Sequence, residues 1–176
     1  TIEGLKGIFF SPFLHGDMDH LKANTIPVWF LMSGVFYYFK RLAPSIIILI
    51  WLVSDSWLWL FARGESYHIG ASTLIYGLAF FLVFGSIFKK HIRMLAFALI
   101  IVFSYGSLLW GFFPDFFPGK NISWEGHLMG AASGLLFAWF YRKDGPVKEV
   151  YEWPDEDDED DEQANWKEFG EHDRYL

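Results

Sequence analysis

The 176-residue chain has no cysteine. That excludes a disulfide framework, a thiolate nucleophile and any Cys-based zinc or iron–sulfur site, and leaves the redox compartment open. Charge is also scarce where a soluble protein would need it. Residues 1–143 carry few acids, and the charges sit at a few places instead of being interleaved along the chain. The chain shows no basic patch with interleaved stacking aromatics, so no nucleic-acid partner is expected. Internal repeats and paired broken helices of the kind seen in small transporters are missing too. The chain starts at Thr1 with neither Met nor a signal-peptide pattern, which suggests a partial sequence with an upstream segment.

What is present is apolar: 53% of residues are hydrophobic and 21% aromatic. Runs of about 20 apolar residues match the thickness of a bilayer's hydrocarbon layer. The net charge of −7 divides unevenly. Residues 144–176 hold 14 acidic residues against Lys148, Lys167 and Arg174, a net −11, leaving +4 before them. The expected organisation is therefore a membrane domain over 1–143 and an acidic, disordered tail over 144–176. The Asp155–Glu162 run repels itself, and Trp166, Phe169 and Tyr175 are read as solvated residues of that tail, with a short docking motif as the alternative.

Five spans are expected: Ala23 to Phe39, Ser45 to Phe61, Ile69 to Phe88, Met94 to Phe113 and His127 to Tyr141. Residues 1–24 read as mixed and turn-like, and Pro27 as part of a first helical turn, where a missing N–H costs least. Lys40, Arg41, Lys89, Lys90, Arg93, Arg142 and Lys143 lie at one set of ends, with Arg63 and Lys120 opposite. This bias makes the C-terminus cytoplasmic and puts the starts of the first, third and fifth spans in the outer leaflet. His20, Asn24, Ser72 and His127 are thereby brought to one depth.

Ser72 begins a membrane-length apolar run after Gly70, and a serine hydroxyl is a poor nucleophile without a base. His127 is the candidate base. Gly130 and Gly134, four residues apart on its helix, would allow close backbone approach. Tyr76, one turn below Ser72, shares its face and can stack on the His127 ring or serve as one more core aromatic. His20 and Asn24 share a helix face and can donate to a developing oxyanion, while His15 caps or braces the turn before them. His15, His20 and His127 have the residue type for a metal site, but that reading leaves Gly70-x-Ser72 unexplained, so no metal or other cofactor is expected. His68 reads as a loop histidine. Asp55 reads either as an intramembrane functional acid or as a helix-exit acid.

The patterns H-G-x-x-x-H-x-x-x-N from His15 to Asn24, G-x-S from Gly70 with Tyr76 four residues after the serine, and H-x-x-G-x-x-x-G from His127 occur in one order over residues 1–143. Together they resemble the rhomboid intramembrane serine proteases. The resemblance implies an all-α, polytopic membrane bundle with a Ser72–His127 dyad and no third acid. It further implies an oxyanion hole of Asn24, His20 and the Ser72 N–H, with Tyr76 supporting His127. Substrates would be transmembrane proteins, cut at or near their helix ends after local unwinding, in a bacterial inner membrane. The alternative is an inactive rhomboid-like protein that binds membrane clients. Two departures stand out. The family's first helix of six and the loop after it are missing before Thr1, and Thr73 replaces the usual glycine, where a β-branched residue is expected to crowd the turn or the substrate strand.

Overall fold

The computed structural model describes residues 2–62, 68–104, 112–113 and 123–146. The acidic tail from 147, Arg63, Lys120 and most of the chain between the fourth and fifth runs lie outside the described residues. Within them the chain is helical, with no strand: α1 (Ile2–Phe10), α2 (Met18–Phe39), α3 (Ala43–Phe61), α4 (Ser72–Lys89), α5 (Ile92–Ser104) and α6 (Trp124–Phe140). Short 3-10 turns occupy Ser11–Phe13 and Lys40–Leu42. The five expected runs correspond to α2 through α6.

Two boundaries differ from the sequence reading. Residues 2–10 form a helix instead of a mixed segment, and α2 starts well before Ala23. The Asp17 carboxylate accepts from the His20 N–H at 2.7 Å, so the polar turn after it is wound into the helix as a capped first turn. Pro27 consequently lies inside α2, where it removes one intrahelical hydrogen bond.

Distribution of polarity is inverted relative to a soluble protein. Ser54, Ser86 and Ser133 are almost wholly buried, and Asn24, Asp55, Glu125 and His127 are buried with them. Large apolar side chains such as Trp29, Phe61, Ile92, Phe103 and Phe140 face outward. The joined pair α2–α3 (Met18–Phe61) and α4 are long and apolar enough to cross a bilayer. An apolar exterior around a polar-studded core is the arrangement of a membrane protein, because lipid, unlike water, gives no reason to bury Phe and Ile.

Helix α4 is the centre of the bundle and packs against α2, α3, α5 and α6. Leu78, Phe81 and Leu82 are fully buried, which explains why α4 is apolar around its whole circumference. The chain reverses between α2 and α3 through Lys40–Leu42, with Pro44 in the first turn of α3 where its missing N–H is harmless. Far from that reversal, the Ser11 hydroxyl donates to Asp55 Oδ2 at 3.1 Å, and Trp51 Nε1 donates to the Ile8 carbonyl at 3.0 Å. These two bonds fasten α1 to the end of α3 that lies beside the start of α4. They also place Asp55 as a buried acceptor holding two segments together, not as a solvated helix-exit acid.

Candidate active site

The site is built on the turn before α4. Gly70 has φ of +101°, a conformation that disfavours any side chain, and its N–H donates to the Ser11 carbonyl at 2.9 Å. That bond fixes where α4 begins. Ser72 is the first residue of the helix, so its N–H is among those with no intrahelical partner, at the positive end of the helix dipole. The Ser72 side chain lines a narrow cleft with Ser11, His68, Gly70, Thr73 and Ser123, with room for about one water.

His20 and Asn24 lie on the other side of this turn. A Cβ built on Gly70 would fall 2.7 Å from His20 Nε2 and 3.1 Å from Asn24 Nδ2, so both side-chain nitrogens press against the Gly70 backbone. Any larger residue at position 70 would collide with them. Asn24 is 6% exposed, and its Nδ2 is buried with no hydrogen-bond partner. An unsatisfied buried amide is costly and calls for an explanation. The His15 ring meets His20 edge-on at 5.1 Å, with both of its nitrogens likewise buried and unpartnered. The helix cap beside it is Asp17, so His15 braces His20 and does not cap the turn.

The third wall comes from α6. Ser123 caps that helix by accepting from the Gly126 N–H at 3.2 Å, and His127 follows in the first turn, buried. The imidazole stacks on Tyr76 at 4.1 Å and 13° between planes. Phe112 meets the Tyr76 ring edge-on at 5.0 Å. Tyr76 is four residues after Ser72, so His127 packs on the residue one helical turn along α4 from the serine.

The approach of α4 and α6 is set by glycine. A Cβ at Gly130 would lie 2.1 Å from the Thr73 carbonyl oxygen, and one at Gly134 would lie 2.1 Å from the Gly77 carbonyl oxygen. Thr73 itself is 6% exposed in this seam, its Oγ1 only 2.8 Å from where a Gly126 Cβ would be. The branched side chain is thus accommodated by the lack of one on Gly126. At the turn itself, Thr73 finds its room in this packing.

Sequence reasoning overlooked Ser11, Ser123 and Glu125. His68 Nδ1 and Ser123 Oγ are 2.5 Å apart in a hydrogen bond, which ties the approach to α4 to the start of α6. A capping signal for Ser123 was available, a serine just before a helix with Glu125 in its first turn. Nothing local points to Ser11, whose partner Asp55 is 44 residues away. Ser123→Ala removes the cap and the His68 link together. It is expected to destabilise the protein by about 1–2 kcal/mol, read as a lowered thermal midpoint in detergent; an unchanged midpoint would show that neither bond matters.

The family model for the Rhomboid domain matches residues 3–144. Uncharacterized proteins of Mycobacterium tuberculosis and Mycobacterium bovis are 37% identical over 145 residues, covering 78% of this chain and 59% of each relative. An uncharacterized protein of Mycobacterium leprae is 36% identical over 158 residues, covering 83% of this chain and 61% of its own length. The chain therefore spans about three-fifths of the length of the curated relatives it matches. No solved structure matches.

Proposed function

The chain belongs to the rhomboid family, and from that premise we propose that it is an intramembrane serine endopeptidase acting on transmembrane protein substrates. The observation that carries the proposal is the grouping at the first turn of α4. Ser72 comes two residues after Gly70, against which the unpartnered, buried Asn24 Nδ2 rests, and four residues before Tyr76, on which His127 of α6 stacks.

In this reading Ser72 Oγ attacks a backbone carbonyl while His127 takes its proton. The negative charge that develops on the carbonyl oxygen is received by Asn24 Nδ2, His20 and the Ser72 N–H, which supplies the missing partner of the orphaned amide. The intermediate collapses to an acyl-enzyme as His127 returns the proton to the leaving amine. A water activated by His127 then releases the product. No third acid is assigned. Stacking on Tyr76 orients the imidazole instead, a ring contact worth about 0.5–1.5 kcal/mol. Because a helix hides its carbonyls in hydrogen bonds, substrates must unwind locally, which favours cleavage near helix ends.

The same reading assigns residues 1–143 to a multi-pass protease domain and 144–176 to an acidic tail. The loop charges support a cytoplasmic C-terminus, and a bacterial inner membrane is the proposed setting. No cofactor or metal is assigned a role.

The test is covalent. Purified full-length protein treated with a fluorophosphonate probe should carry a single adduct, mapped by peptide mass spectrometry to Ser72 and lost in His127→Ala. A folded parent that takes no adduct would overturn the protease and favour a rhomboid-like protein that binds clients without cutting. Asn24→Ala should keep the thermal midpoint but slow cleavage by about 10²–10³-fold. Unimpaired turnover in that variant would remove Asn24 from the oxyanion hole.

A further inference from the structure

The end of the bundle away from Ser72 holds a feature that the proposed reaction does not use. Here α2 ends, α5 begins and the chain leaves α6, and a cavity of about 550 Å³ opens among them. Its size is that of a small-molecule site. Tyr37, Tyr38, Lys40, His91, Arg93 and Pro146 line it, and among the described residues no acidic one does. The His91 Nδ1 accepts from the Met94 N–H at 3.1 Å, which leaves the ring proton on Nε2 as a donor. Every ionisable side chain lining the cavity is thus cationic or a donor.

Backbone geometry adds a second, independent sign. Among the described residues, the non-glycine positions with positive φ are Lys40 at 46° and Lys90 at 54°, both at this end. Lys90 is the left-handed cap of α4, but Lys40 lines the cavity with ψ of −110°, where glycine would relieve the strain, so a lysine there implies a use for its side chain. The neighbouring Lys89 is already committed: its ammonium donates to the carbonyls of Tyr141 and Arg142 at 3.0 and 3.1 Å, and to that of Asp144, closing the exit of α6. The Lys40 ammonium has no polar partner among the described residues.

Beside these cations the surface is apolar. Tyr37, 74% exposed, lines the cavity with Lys40, and Ile92, 70% exposed, stands outside the lining at the start of α5, next to Arg93 in sequence. We propose that this cavity binds an anionic phospholipid, with Lys40 and Arg93 holding the phosphate and Tyr37 and Ile92 meeting the first part of the acyl chains. Interfacial aromatics and basic residues are suited to those two halves of one ligand. A free phosphate would leave the apolar half unused. The acidic run Asp155–Glu162, which begins nine residues after Pro146, matches the charge but likewise makes no use of Tyr37 and Ile92.

The full chain in detergent, offered equal amounts of phosphatidylglycerol and phosphatidylcholine, is examined by native mass spectrometry. Phosphatidylglycerol should be retained preferentially and survive added millimolar inorganic phosphate. Lys40→Gln and Arg93→Gln should each lower its retention about fivefold, whereas Lys143→Gln, at the same end but outside the cavity, should not. Lys40→Gly guards against misfolding: it should raise the thermal midpoint by relieving strain while losing the lipid. Equal retention of both lipids, or equal losses in all three glutamine variants, would reduce the site to diffuse charge and overturn it. Displacement by phosphate would overturn it in favour of a simple anion site. Lipid binding that appears only when Asp155–Glu162 is neutralised to Asn and Gln would show that the tail occupies the cavity instead.

Discussion

Ser72→Ala and His127→Ala should each reduce cleavage of a transmembrane test substrate by on the order of 10⁴-fold or more, and the double variant should be no worse than either alone. Non-additivity is the informative part. A nucleophile and its base act as one unit, so removing the second after the first costs nothing further. The two residues come from helices that begin separately, α4 at Ser72 and α6 just before His127. Neither substitution needs to disturb the fold: Ser72 is partly exposed at a helix start, and the Tyr76 face left by the imidazole still has Phe112 on its edge. Thermal midpoints close to the parent's should therefore accompany the loss. Cleavage that persists in Ser72→Ala, with no contaminating protease present, would refute the mechanism; losses that multiply in the double variant would mean that the two residues act separately.

Gly134→Ala is expected to have the largest effect on stability. Its new Cβ would lie 2.1 Å from the Gly77 carbonyl oxygen and 3.0 Å from the Phe81 nitrogen, both backbone atoms of α4 that cannot rotate aside. The helices must separate by ~1 Å, at a cost of ~3 kcal/mol, the upper end for overpacking. Gly130→Ala meets the Thr73 carbonyl at the same 2.1 Å, nearer the site. A displacement of that size between nucleophile and base lowers turnover by about 10²-fold. Gly130→Ala should thus lose activity at temperatures where it remains folded, and Gly134→Ala should show the greater fall in thermal midpoint. Thermal unfolding in detergent and cleavage rates distinguish the two, and a Gly134→Ala variant with the parent's midpoint would show that the seam is looser than its geometry.

Much of the site was legible because its elements carry local signatures. Gly70 and Ser72 mark a turn and a helix start within three residues, and the spacing from Ser72 to Tyr76 defines one face. The Gly130 and Gly134 pair announces a close helix contact without naming the partner. What escaped the sequence were long-range pairings. Ser11 looks like any turn serine until it meets Asp55, and Ser123 is only a cap until His68 reaches it. Thr73 shows the limit most clearly: its tolerance depends on Gly126, a residue with no local relation to it.

From composition and pattern alone followed an all-helical membrane protein, its apolar spans, and an acidic segment set apart from a mildly basic body, while the family came from the resemblance of its motifs. These properties are local or additive. Hydropathy sums along the chain, and turn residues act on their neighbours. The tertiary structure alone decided that α4 is the central helix, that α1 is a helix fastened by Trp51 and Asp55, and that the Asn24 amide is buried without a partner beside Gly70. Those depend on which surfaces meet, and close packing selects one set of contacts among many that the same apolar faces would permit.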